Sequence, residues 1–253
     1  MCCFSRPVKL IADTNIFARA GKDGRQYLVY AMTMSAEEDL AMILPIPTPK
    51  ASKEDAVKFL NLEMYPEFFA DMRKGFPVPI YRGGGGGRTR AIAKHAPTLK
   101  VVSVGSYDAS FVPTVKDFSR LDEAFRLPAD VWDSLPQYKD FGFVVFKLKK
   151  TDEEKGAGKV HPMAFDFPRA DGKKLFFPTV HIHDGKVHDK AGFDHALYCQ
   201  LSGEENVAMK WTESKQPAGM FMDMDKSLGL FDKTGHVYRK EMRGNLKNED
   251  VIV

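Results

Sequence analysis

The stretch "NIFARAGKDGRQYLVYAMTM", residues 15–34, places two apolar runs on either side of one tight turn. Asp23 and Gly24 form a dipeptide typical of two-residue β-hairpin loops, because both central positions of such a turn need positive φ angles. The flanking runs, 15–20 and 26–34, contain the aromatic and β-branched residues that strands favour. This stretch therefore predicts an antiparallel β-hairpin.

Other parts of the chain also have the pattern of strands. Short continuous apolar runs that are bounded by turn residues are typical of buried strands. The clearest are "LAMILPIP" (40–47), "LKVVSVGSY" (99–107) and "FGFVVFKLKK" (141–150). Shorter apolar runs follow after residue 160 and predict further strands.

Two segments predict helices. Ser52 with Asp55, and Thr114 with Asp117, have the spacing of a capping box, which opens many helices. Strands and helices that do not alternate regularly favour an α+β fold. We therefore expect a single α+β domain over residues 1–253, with a mostly antiparallel β-sheet and a few flanking helices. Five consecutive glycines predict a flexible Gly-rich loop at 82–90, and the polar tail, 245–253, is expected to be frayed.

Composition excludes several classes of partner. The chain has 37 basic and 34 acidic residues, a formal net charge of +3, and this near balance predicts no nucleic-acid partner. It lacks an apolar run of about 18 residues, which predicts no membrane span. A secretory signal is also missing, so the expected location is cytoplasmic. The three cysteines do not make a disulfide framework.

The segment "TVHIHDGKVHDKAGFDH", residues 179–195, contains four of the seven histidines. If Asp184 and Gly185 form a hairpin turn, the register pairs residue 182 with 187 and residue 181 with 188. Side chains alternate between faces along a strand. This register predicts one face that carries three imidazoles, those of His181, His183 and His188.

Three imidazoles with an open coordination position are typical of catalytic zinc. The sequence thus predicts a transition-metal site, with zinc as the first choice and copper as the second. His195 and Cys3 are candidates to complete the ligand set, and Asp189 or Asp194 could supply a further ligand or orient one. The alternative is a solvated polar face without a metal. Lys186, on the same predicted face, favours this alternative because its charge would repel a cation.

The N-terminal "MCCFS" suggests a second chemistry. Removal of Met1 would leave Cys2 with a free α-amine beside its thiol, and that amine can act as the base for the thiol nucleophile. Such a residue would be the catalytic nucleophile of an N-terminal-cysteine amidohydrolase. Alternatively, Cys2 and Cys3 help to chelate a soft metal, or they simply begin an edge strand.

Several segments together resemble an uncharacterised, mostly bacterial family, catalogued as domain of unknown function 2330. The similar segments lie within residues 2–182 and are "CCFS", "TNIFARAGKDGRQYLVYAMTM", "LAMILPIPTP", "VGSYDASFVP", "LPADVWDSLPQYKDFGFVVFKLKK", "PMAFDFP" and "KLFFPTV". Members of that family commonly begin with a signal peptide, which this sequence lacks. The resemblance implies no activity and no site residues.

Three functional hypotheses follow from the sequence. The leading one is a metal-binding protein that uses the His-rich segment, and whether it is an enzyme is left open. The second is the amidohydrolase with Cys2 as its nucleophile. The third is a non-catalytic binding or structural module, whose partner would be an unknown small molecule or peptide.

Overall fold

The hairpin predicted from residues 15–34 is present, and both of its arms are longer than expected. Strand β2 (Leu10–Ala20) pairs antiparallel with β3 (Arg25–Ser35). Asp23 and Gly24 have φ angles of 55° and 71°, which confirms the turn that their sequence predicts.

A computed structural model describes residues 2–77, 102–105, 107–127, 129–150, 158–159, 161–183, 185–201 and 211–253. The other strands in these ranges are β1 (Cys2–Phe4), β4 (Leu40–Ile46), β5 (Lys58–Asn61), β6 (Val102–Val104), β7 (Tyr107–Val112), β8 (Gly142–Leu148), β9 (Gly158–Lys159), β10 (Met163–Pro168), β11 (Phe176–Phe177), β12 (His181–Ile182), β13 (Lys190–Gln200), β14 (Thr212–Glu213), β15 (Tyr238–Lys247) and β16 (Val251–Ile252). The α-helices are α1 (Phe68–Lys74) and α2 (Ala129–Asp133). Turns of 3₁₀-helix cover Val115–Arg120, Glu123–Phe125, Pro136–Tyr138 and Ala218–Met220.

The strands form two large sheets and one small one. The six-stranded sheet has the order β12-β1-β4-β8-β7-β6. The eight-stranded sheet has the order β14-β15-β13-β2-β3-β10-β5, with β9 paired to β3. Strands β11 and β16 form the small sheet. Because β1 runs parallel to β12 and β13 runs parallel to β2, both large sheets are mixed.

The two large sheets face each other across the central core. Alternate residues of β4 and β8 in one sheet point toward alternate residues of β2, β3, β10 and β13 in the other, as the two-residue period of strands requires. Members of this layer include Leu28, Tyr30, Met42, Leu44, Phe146, Phe165 and Leu197, all fully buried.

Both sheets are also covered on their outer faces. The six-stranded sheet packs against α2 and the neighbouring 3₁₀ turns through an aromatic cluster that includes Phe118, Trp132 and Phe143. On the eight-stranded sheet, α1 and the Met-rich segment 217–231 form a cover that includes Phe68, Phe231 and Met222. Central strands such as β4 and β8 are therefore buried on both faces, which explains their continuous apolar runs.

The predicted α+β class is wrong. The fold is β-rich with mixed sheets, and the two α-helices in the described ranges have only 7 and 5 residues. The helix expected from Ser52 and Asp55 is absent: Ser52 donates its hydroxyl to the carbonyl of Pro49, and Ala51 has a positive φ of 58°. The apolar half of that segment instead forms β5, which pairs with β10.

The C-terminal tail, expected to be frayed over 245–253, is held in place. Strand β16 pairs with β11, and Val253 exchanges two backbone hydrogen bonds with Leu175, with N···O distances of 2.6 and 2.9 Å. The predicted Gly-rich loop at 82–90 and the turn residue Asp184 lie outside the described residues. Neither the α-helices nor the 3₁₀ turns in the described ranges reach the length of a membrane-spanning helix.

Candidate functional site

The N-terminal strand lies inside the six-stranded sheet rather than at its edge. Strand β1 is hydrogen-bonded to β4 on one side and to β12 on the other, with Cys2 in register with His181 and Cys3 in register with Ile182. Alternation along β1 buries Cys3 in the outer aromatic cluster and Phe4 in the central core. His181 is thereby fixed next to the first residues of the chain.

Two histidines from opposite sheets meet at this position. The Nε2 atom of His181, on β12, lies 3.0 Å from the Nε2 atom of His195, on β13. The ring centroids are 4.7 Å apart. The exposed fractions of the two residues are 7% and 0%, so this contact is almost entirely closed to solvent.

One aromatic ring packs against both histidines of the pair. The Phe193 ring packs against the ring of His181 at 4.5 Å and against the ring of His195 at 5.2 Å. His183 is next to His181, with a centroid distance of 4.9 Å, and also contacts the ring of Phe4. Three imidazoles therefore occupy neighbouring positions in a layer that is otherwise apolar.

Burial controls the protonation of the pair. Desolvation, helped by the neighbouring His195, lowers the pKa of His181 to about 2. Desolvation also lowers the pKa of His195, although Asp194 opposes this effect. Both rings are therefore neutral near pH 7, and the short contact is one N–H···N hydrogen bond in which one ring donates and the other accepts.

A carboxylate faces the other nitrogen of His195. The Oδ1 atom of Asp194 lies 3.6 Å from Nδ1 of His195, which is longer than a normal hydrogen bond. Its Oδ2 atom accepts a hydrogen bond from the backbone N–H of Asp13 at 2.7 Å. Interaction with His195 is the main cause that lowers the pKa of Asp194. This carboxylate favours the tautomer of His195 that carries its proton on Nδ1.

Asn248 holds the backbone of His181 from both sides. Its Oδ1 atom accepts a hydrogen bond from the N–H of His181 at 2.7 Å, and its Nδ2 group donates to the carbonyl of the same residue at 2.9 Å. It also donates to the carbonyl of His188. Sequence analysis missed Asn248, because no local pattern connects positions so far apart in the chain.

The structure brings together three of the four histidines in the predicted segment. His181, His183 and His195 are neighbours, whereas His188 is exposed. The predicted register is not observed, since β12 pairs with β1. Ile182 is fully buried while Val187 is 38% exposed, so they do not share a core face. The expected face of His181, His183 and His188 is therefore not formed.

The predicted cysteine ligand lies on the other side of the sheet. Cys3 is fully buried in the outer aromatic cluster beside Ile182, away from the rings of His181 and His195. Within the described ranges, no three His, Cys, Asp or Glu side chains are arranged to hold a metal ion. The side chain of Cys2 is not among those described, so its role as a nucleophile stays a prediction.

Comparison with known proteins concerns the fold. No protein family profile and no curated protein matches this sequence. Among solved structures, baculovirus P35 is similar over 97% of this chain and 96% of its own, with 14% sequence identity and a TM-score of 0.50. The complex of P35 with caspase-8 is also similar over 95% of both chains, with 12% identity and a TM-score of 0.44. At 14% identity and a TM-score of 0.50 the likeness to P35 shows the fold alone, and the predicted α+β class is corrected to a P35-like β-rich architecture.

Proposed function

We propose that this protein acts by binding another protein, and that the partner is a cysteine protease. The observation that carries the proposal is the fold shared with baculovirus P35 over nearly the whole length of both chains. P35 itself forms a complex with caspase-8. A fold does not determine a function. The complex of P35 with caspase-8 therefore serves only to choose the class of partner that is tested.

The architecture of the described ranges suits a binding module. Two large sheets, each covered on its outer face, form a rigid scaffold that can present loops to a partner. Between α1 and β6, the sequence of residues 78–101 has five Lys or Arg residues and neither Asp nor Glu. A protease that cuts only after acidic residues therefore has no site there, whereas one that cuts after basic residues does.

The proposal is tested with purified proteases of both specificities. Caspase-8 and a cysteine protease that cleaves after Arg or Lys are each incubated with a molar excess of this protein. We expect the basic-specific protease to lose activity on a small fluorogenic peptide in a stoichiometric manner, and to co-elute with this protein in gel filtration. Co-elution with caspase-8 instead would retain the class of partner and change its specificity. If neither protease co-elutes and both keep full activity, the proposal is wrong.

Matched variants then locate the contact. If mass spectrometry finds a cut after Arg88 or Arg90, alanine is placed at each position in turn. Because the two side chains are identical and only two positions apart, a specific effect should be confined to the residue before the cut. An equal loss of protease binding in both variants would indicate non-specific charge attraction, which salt would weaken.

A further inference from the structure

The contact between His181 and His195 joins the two large sheets. His181 belongs to β12 in the six-stranded sheet, and His195 belongs to β13 in the eight-stranded sheet. Strand β13 is flanked by β2 and β15, and Asn248 holds the backbone of His181. Backbone pairing and hydrogen bonds thus hold both residues in place, with their Nε2 atoms 3.0 Å apart.

We propose that a divalent transition metal ion binds between the Nε2 atoms of His181 and His195 and links the two sheets. Imidazole nitrogen is a good ligand for copper and zinc. With bonds of about 2.0–2.1 Å, two nitrogens in right-angled positions lie about 2.9 Å apart, and two in tetrahedral positions lie about 3.3 Å apart. The observed separation of 3.0 Å is close to the right-angled value, which copper(II) favours, and zinc requires the nitrogens to part by a few tenths of an ångström.

Asp194 supports this arrangement from the second nitrogen of His195. A ligating histidine commonly has a carboxylate near its other ring nitrogen, which fixes the tautomer and makes the ligand more basic. With the proton of His195 on Nδ1, facing Asp194 at 3.6 Å, the lone pair of Nε2 points at His181. Metal binding then requires only that His181 carry its own proton on Nδ1 instead of Nε2.

No third side chain in the described ranges is placed to bind the ion as it stands, so a further coordination position would be filled by a shift of His183. This residue is the third imidazole of the cluster, its ring lies 4.9 Å from the ring of His181, and its Nε2 atom is buried. His188 lies between β12 and β13, outside both strands, and is exposed. It therefore serves as a matched control, being a histidine of the same segment that lies outside the proposed site.

The test is a titration of the untagged protein, since a polyhistidine tag would itself bind metal. Copper(II) and zinc(II) salts are added separately, and binding is followed by calorimetry and by the melting temperature. We expect one ion per chain and a rise in melting temperature of several degrees, because a ligand that binds only the folded state stabilises it. His195→Ala should weaken binding at least 100-fold, while His188→Ala should leave it unchanged.

Electron paramagnetic resonance of the copper(II) form of the wild type gives a readout that does not depend on the folding of a variant. Coupling to the nitrogens of two imidazoles is expected. The proposal is overturned if neither ion binds, if His195→Ala binds as tightly as the wild type, or if the spectrum shows fewer than two nitrogen ligands. No protease is present in these measurements, so their failure leaves the proposed binding of a protease unaffected.

Discussion

Gly142 opens β8 at a point where the neighbouring side chains leave no room for a methyl group. A Cβ atom there would lie 2.5 Å from the ring of Phe111 and 2.8 Å from the hydroxyl of Thr48. Both neighbours are buried and cannot move aside easily. We expect Gly142→Ala to lower the free energy of unfolding by about 1–3 kcal/mol.

Gly192 provides the matched control, because it lies in β13 and a Cβ atom there would meet nothing within 4 Å. Its substitution by alanine should change the free energy of unfolding by no more than about 0.5 kcal/mol. Urea denaturation of both variants checks the comparison. An equal effect at the two sites would mean that the close packing around Gly142 is not rigid.

Single residues also show what the sequence can predict of the site. The grouping of His181, His183 and His195 was foreseeable, because all three belong to one His-rich segment. The prediction that His188 shares a face with His181 and His183 was wrong, because the predicted register assumed a local hairpin. In the structure β12 instead pairs with β1, near the other end of the sequence, and no local pattern encodes such a pairing.

At the level of elements, Asp250 connects the C-terminal segment to the rest of the molecule. Its Oδ1 atom accepts hydrogen bonds from the backbone N–H groups of Thr179 and Val180, at 2.8 and 3.1 Å. Its Oδ2 atom accepts one from the hydroxyl of Tyr138 at 2.6 Å. Asp250→Ala would leave three buried donors without an acceptor, and we expect a loss of at least about 2 kcal/mol in the free energy of unfolding.

The Asp250→Asn variant keeps the shape of the side chain but removes its ability to carry a charge. Burial raises the pKa of Asp250 above its ordinary value of 3.8. A carboxyl of this kind contributes stability that is fully present below the unfolded-state pKa and is lost as pH rises through the folded-state pKa. The wild type should therefore lose stability relative to Asp250→Asn as the pH rises above about 4. Urea denaturation at a series of pH values measures the difference, and a constant difference would contradict the raised pKa.

The elements differ in how far local sequence specifies them. The β2–β3 hairpin was predictable because its turn needs two positive φ angles and Asp23-Gly24 tolerates them. The structure of segment 51–62 was not predictable. Ser52 takes part in a turn instead of capping a helix, and the apolar residues of the segment are stabilised by pairing with β10. Tertiary contacts overrode a weak local preference for helix.

For the whole molecule, we expect the two large sheets to unfold together, since they share the central core. Trp132 reports on the outer cluster of the six-stranded sheet, while Trp211 packs against Phe177 of the central core. The Trp132→Phe and Trp211→Phe variants each leave one reporter. Their fluorescence transitions in urea should coincide with each other and with circular dichroism. Two separate midpoints would indicate two independently folding units.

The order of the strands within the two large sheets could not be predicted from the sequence. Apolar runs located β2, β4 and β8, but they carry no information about which distant strand lies next to which. The mixed sheets arise from two parallel pairings, β1 with β12 and β2 with β13. These pairings depend on the joint packing of many side chains, so they become visible only in three dimensions.

The pairing of β2 with β13 has a consequence for protein synthesis. Thr14 leaves the ribosome long before its partner, His195, has been made, and at about 5–20 residues per second the delay is on the order of ten seconds or more. During that interval the hairpin arm presents a bare row of backbone donors and acceptors to its surroundings. A nascent chain halted midway should therefore be a good client for chaperones, and the completed chain should not.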